Sequence, residues 1–208
     1  QIAKDPSFEK HLNKYPVIKL DLTDFTTMHK DNPNIIALIQ EELIADVKKS
    51  YPGIVPDGFS GDFMDLLIHI NQATGDSFIL IIDEWDAICR EFEPKSNVMD
   101  SYVNWLRRMF KGNNSLRVFA GVYMTGILPI KKYNTESALN NFMEYSMVDP
   151  GDMATHFGFT KEEVKTLCQE YNRDYEEMEQ WYDGYIIGSA NAMFNPNSVM
   201  TSLYKKNC

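Results

Sequence analysis

The 208-residue chain is 44% hydrophobic, 24% charged and 12% aromatic, the make-up of a globular protein with enough apolar material for a sizeable core. Its formal charge of −10 argues against coating nucleic acid through a broad basic surface, yet leaves room for a small local phosphate site. Cys89, Cys168 and Cys208 are far apart and odd in number, which argues against a disulfide scaffold or a zinc cluster and for a reduced, cytoplasmic setting. No apolar run approaches the ~18 residues of a membrane span, and the first residues do not read as a signal peptide, so no membrane contact is expected.

Asp5-Pro6 is a helix-start signal and predicts a short helix over the lead-in. Residues 15–22 (YPVIKLDL) predict a strand, followed by the polar run Thr23-Asp24-Phe25-Thr26-Thr27. Apolar residues at 35, 36, 38, 39, 43, 44 and 47 have helical spacing, so a helix is expected to cross back over a sheet. A loop rich in Pro and Gly leads to a second amphipathic helix over 62–72, which Gly75 closes.

The run Phe78-Ile79-Leu80-Ile81-Ile82 does not alternate and ends in two adjacent acids, Asp83 and Glu84. Such a run suits a central parallel strand covered on both faces, with the acids at its carboxyl end, where open α/β sheets bind ligands. That is the layout of a Walker B strand, in which the first acid helps hold Mg²⁺ and the second activates water. A buried strand whose terminal acids start a turn or cap the next helix is the competing explanation.

A short helix or loop to Phe92, a helix over 98–110 stopped by Gly112-Asn113-Asn114, and a buried strand over 116–124 come next. Strands separated by crossovers of more than a dozen residues imply a parallel sheet. Residues 142–148 are expected as a last strand. Thr160 and Glu163 form a capping box for a further helix, an acid-rich stretch follows over 170–183, and Ser198 is expected to cap a closing helix. A boundary near residue 150 is expected, separating an α/β core (1–150) from a small helical segment (151–208).

Taken together, DFMDLLIHINQATGDSFILIIDEWDA (62–87), VYMTGILPIKKYNTESALNNFMEYSMVDP (122–150), HFGFTKEEV (156–164), WYDGY (181–185) and NPNSVM (195–200) resemble the AAA-ATPase-like family. The lead-in IAKDPSFEKHLNKYPVIKLDL is similar to the segment that follows the family's first strand–loop–helix unit. The resemblance implies a parallel-sheet P-loop NTPase-like α/β core with a helical lid, often followed by a PD-(D/E)xK nuclease-like domain. Position by position, Asp83 matches the Mg²⁺-associated acid, Glu84 the general base and Asp86 a second common acid, while Trp85 stands where the family usually has Tyr. Thr125 matches a polar residue near the γ-phosphate, although its hydroxyl is equally suited to satisfying the Thr125-Gly126 turn. ATP and Mg²⁺ are the implied cofactors. The sequence departs from the family in one respect: it contains no GxxxxGK[ST] phosphate loop, and Lys111-Gly112 lacks the spacing. Residues 1–208 are therefore expected to be an N-terminally incomplete ATPase core, inactive alone.

A second function class stays open, a non-catalytic interaction module that keeps the fold without nucleotide. A sheet short of its central strand is expected to be covered along its edges by a protein partner or by self-association. Lys131-Lys132 and Arg107-Arg108 are the basic clusters, the arginines expected as solvated helix-surface charges. A nuclease role is disfavoured because Pro94 breaks Glu93-Pro94-Lys95, the one ExK-type match. Nucleic-acid contact is assigned to a nuclease-like domain beyond Cys208. The aromatic WYDGY stretch follows five acids between 170 and 179, which a phosphate backbone would avoid, and is expected to serve packing.

Overall fold

Strands β1 (Val17–Asp21), β2 (Phe78–Asp83) and β3 (Phe119–Met124) form a parallel sheet in the order β1-β2-β3. The computed structural model describes residues 2–129, 139–182, 184–188 and 190–205, so Lys131, Lys132, Asp183 and Cys208 lie outside the described residues. Parallel neighbours cannot be joined by a tight turn, and the connections are helical. The lead-in forms the short helix α1 (Phe8–His11); between β1 and β2 run α2 (Leu22–Met28), α3 (Ile35–Ser50) and α4 (Phe63–Thr74), and between β2 and β3 run α5 (Ala87–Glu91), α6 (Asn97–Phe110) and α7 (Ser115–Val118). The register sets Asp21 beside Asp83 and Ile82 beside Met124, so the carboxyl ends of the three strands lie together.

The sheet is buried on one face. Phe78, Leu80 and Ile82 join a single apolar cluster with Ile39, Leu67, Ile70, Tyr102 and Leu106 from the helices. Each of those strand side chains contributes about 1.5–3 kcal/mol by leaving water. The intervening Ile79, Ile81 and Asp83 are only half-buried, so the expected cover on both faces is observed on one. In register with them on that second face, Val17 and Tyr123 are each 58% exposed.

Local sequence sets the helix ends. Asp62 accepts from the Asp65 N–H at 2.8 Å while Asp65 accepts from the Asp62 N–H, a reciprocal cap at the start of α4. Gly75 takes the left-handed conformation (φ 80°) that ends it. The Ser96 hydroxyl caps α6, whose Val98, Met99, Tyr102, Trp105, Leu106, Met109 and Phe110 are buried at three- and four-residue steps. The polar run after β1 is also a helix. Asp21 caps it by accepting from the Thr23 N–H, and Leu22, Phe25 and Thr26 are buried. The strand expected over 116–124 starts only at Phe119, because residues 115–118 form the single turn α7.

The chain divides into two compact units, Gln1–Phe142 and Met143–Cys208. The second contains a 3₁₀ turn (Gly151–His156), α8 (Lys161–Glu170), α9 (Tyr175–Tyr182), the antiparallel pair β4 (Tyr185–Ile187) and β5 (Ala190–Met193), and α10 (Pro196–Lys205). The segment expected as helical thus also contains a hairpin. Its core is Val164, Cys168, Met178, Phe194, Val199 and Leu203. Thr160 and Glu163 form the expected capping box. Two expectations fail. Residues 142–148 form no strand: Met143 and Val148 are exposed, and the Ser146 N–H donates to the Asp149 carbonyl in a turn. Ser198 does not cap α10 either; the Asn195 carboxamide accepts from the Ser198 N–H, with Pro196 at the first helical position. Among the described residues no helix is long and apolar enough to cross a membrane.

Candidate functional site

Where β2 ends, the chain makes a sharp exit. Asp83 is the last strand residue, and Glu84 follows in the left-handed region at φ +52°. A residue with a Cβ is uncommon there, and its strain must be offset by surrounding contacts. Those contacts come from the end of β3. The Thr125 N–H donates to the Ile82 carbonyl at 2.9 Å and the Trp85 N–H donates to the Thr125 carbonyl at 2.8 Å, carrying the pairing past both strand ends. Trp85 is buried, and the buried Tyr102 hydroxyl donates to its carbonyl.

The side chains meet at the same place. The Thr125 hydroxyl donates to Asp83 Oδ1 and accepts from the Glu84 N–H at 3.3 Å. It is thus directed across the strands to the acid pair, not into its own turn. The Glu84 carboxylate leaves this cluster and takes a hydrogen bond from Arg90 Nη2 at 2.6 Å. Asp83, Glu84 and Thr125, picked out separately along the sequence, therefore converge at the carboxyl edge of β2 and β3.

The sequence gives no role to two further participants, Asp86, matched there only as a second acid, and Arg90. Asp86 is fully buried and stands at the N-terminus of α5, but its carboxylate does not cap that helix. Instead it accepts from the Ile127 N–H at 3.2 Å and the Leu128 N–H at 3.1 Å, clipping the segment after β3 onto the acid loop. Arg90 lies one helical turn on, with Nε 3.5 Å from Asp86 Oδ2. The Asp86-to-Arg90 spacing of four residues was visible in the sequence, though only a helix starting at Ala87 makes it meaningful. Gly126 admits this clip: a Cβ there would lie 2.5 Å from Asp86 Oδ1 and 2.6 Å from the Trp85 ring.

Beneath the loop, burial first and then the Asp86 charge push the Cys89 thiol up to about 12. Burial, followed by Cys89 and Asp86, pushes Tyr102 well above its ordinary value. Both groups are neutral at physiological pH, so Cys89 is not an activated nucleophile.

The donor set suits a hard cation. Asp83 has one carboxylate oxygen engaged by Thr125 and the other without a hydrogen-bond partner among the described residues, and Asp21 ends the neighbouring strand. Mg²⁺ ordinarily takes one or two carboxylates and completes its shell with water and substrate phosphates. Among the described residues no group of three or more His, Cys, Asp and Glu forms a self-sufficient metal cage.

Compared with models of protein families, residues 1–135 match the one described as Predicted AAA-ATPase. The chain belongs to this AAA-ATPase-like family. The matched span contains all three parallel strands of the first unit together with Asp83, Glu84, Asp86, Arg90 and Thr125. No curated protein matches the chain.

Proposed function

We infer that this AAA-ATPase-like chain supplies the acid half of an Mg²⁺-dependent ATP-hydrolysing site. The observation that carries the reading is the Thr125 hydroxyl, which joins the Asp83 carboxylate to the Glu84 backbone N–H at the carboxyl edge of a parallel sheet. Asp83 holds Mg²⁺ with its other carboxylate oxygen, directly or through water. Glu84, the adjacent carboxylate, orients the attacking water and accepts its proton. Thr125 keeps the two acids in register and has a lone pair to offer a water or phosphate oxygen. When bound, Mg²⁺ neutralises charge developing on the transferred phosphoryl group.

The other half of such a site is a backbone N–H cradle and a lysine for the phosphates. Residues 1–208 contain no GxxxxGK[ST] sequence, so activity is proposed for a gene product that carries one and not for this stretch by itself. In that product, Glu84→Gln keeps the shape of the side chain and removes the base. Its kcat is expected to fall by about 100-fold or more with ATP affinity retained. Unchanged turnover would remove Glu84 from the role.

One observation favours a second reading, the interaction module without nucleotide. Ile79, Ile81, Val17 and Tyr123 leave one face of the sheet half-covered, and β1 and β3 bound the three-stranded sheet. On that reading a protein partner or self-association covers the sheet, and ATP binds neither with nor without the loop.

A further inference from the structure

Arg90 connects two acids that serve different segments. Its Nη2 donates to Glu84 Oε2 at 2.6 Å, and its Nε lies 3.5 Å from Asp86 Oδ2. Asp86 in turn holds the backbone N–H groups of Ile127 and Leu128. A continuous line of polar contacts therefore runs from the segment after β3, through a buried carboxylate and a guanidinium, to the Glu84 carboxylate.

Stability alone is a weak explanation for this arrangement. Arg90 and Glu84 are about one-third exposed, and ion pairs of that kind contribute little to folding. What the guanidinium does supply is direction. It is a planar, rigid fork, and here one edge is anchored by a carboxylate with no solvent exposure. The fork holds Glu84 Oε2, which leaves Oε1 as the oxygen to receive a proton. An acid–base residue oriented by a third group recurs in sites where proton transfer needs a fixed geometry.

Resting on the reading of Glu84 as the base, we propose that Arg90 is a positioning residue for Glu84, itself aligned by Asp86. Asp86 also fixes the backbone immediately after Thr125. The segment that leaves β3 and the carboxylate that leaves β2 are thereby set by one buried group, and displacement of residues 127–128 carries Arg90 and Glu84 with it.

The test uses the full gene product and compares Arg90→Ala, Arg90→Lys and Glu84→Gln. Arg90→Ala is expected to lower kcat by roughly tenfold or more, while the Kd for ATP stays within about twofold. Arg90→Lys, which keeps the charge but not the fork, is expected to recover part of the lost turnover. Amide exchange across β2 and β3 that matches the unaltered protein shows that the variant is folded. Full or raised turnover in Arg90→Ala, with Glu84→Gln impaired, overturns the positioning role and leaves the proposed function standing. Full turnover in Glu84→Gln removes both.

Discussion

A single hydroxyl shows how much of this site depends on individual residues. Thr125 reaches Asp83 and the Glu84 N–H because Glu84 adopts a left-handed backbone and Gly126 leaves room for Asp86. The same close packing buries Cys89, and this has a consequence in alkali. In the unfolded chain the thiol titrates near 8.5, whereas in the fold burial and the Asp86 charge hold its proton up to about 12. Between those values the folded protein binds the extra proton, so stability falls as pH rises. The contribution is intact below about 8.5 and is lost progressively towards 12. Urea midpoints measured at neutral pH and near pH 10 are expected to drop more steeply for the unaltered protein than for Cys89→Ala. Equal drops would show that another group governs the alkaline limb.

The positions of the two acids and the threonine at strand ends were legible in the sequence because each follows an unbroken apolar run of the length of a buried strand. The parts played by Asp86 and Arg90 were not. The sequence marks Asp86 only as a second acid after the pair, and the fold shows it fully buried, with the Ile127 and Leu128 amides on its oxygens.

At the scale of elements, the start of α4 is tied to the far end of α6. Arg108 donates to Asp62 at 2.9 Å and also to Asp65, so the residues expected as solvated arginines include one that fastens a helix cap. Partial burial pushes the Asp62 carboxyl up, but the Asp65 N–H and the Arg108 guanidinium outweigh it and hold the group below the usual range. A lowered carboxylate contributes stability above its unfolded value of about 3.9 and loses it as pH falls through the folded value. The groups are exposed enough for solvent to screen them, so Arg108→Ala is expected to cost under about 1 kcal/mol at neutral pH. Thermal midpoints of the two proteins are expected to draw together as pH falls below about 3.9; a gap that does not narrow with falling pH would assign the effect to packing of the arginine stem.

Helices with clean periodicity, such as α3, α4 and α6, follow directly from sequence, and α4 and α6 also carry side-chain caps. The elements that did not are short or depend on context. The helix α2 begins at the strand residue Asp21 with no break between them, and its Thr-rich sequence has modest helix propensity. Residues 142–148 alternate like a strand, yet Met143 and Val148 remain in solvent, and a strand needs neighbours that a local pattern cannot supply. In α10 the Asn195-Pro196 pair outcompeted Ser198 as the cap.

For the whole molecule, the three-stranded sheet brings its chemistry to one edge and leaves one face half-covered. Both features follow from the two connections α2–α4 and α5–α7, whose helices build the single large core on the opposite face. Family membership and the position of the acid loop at the strand ends both support the proposed phosphoryl-transfer site, in which Asp83 is assigned to the metal. The most direct test is ATP binding by calorimetry to the full gene product, with and without Mg²⁺, for the unaltered protein and for Asp83→Asn. Mg²⁺ is expected to strengthen ATP binding by roughly tenfold or more in the former and to lose most of that effect in the latter. Equal Mg²⁺ dependence in both proteins, or no ATP binding in either, would contradict the assignment of Asp83 and with it the acid half of the site.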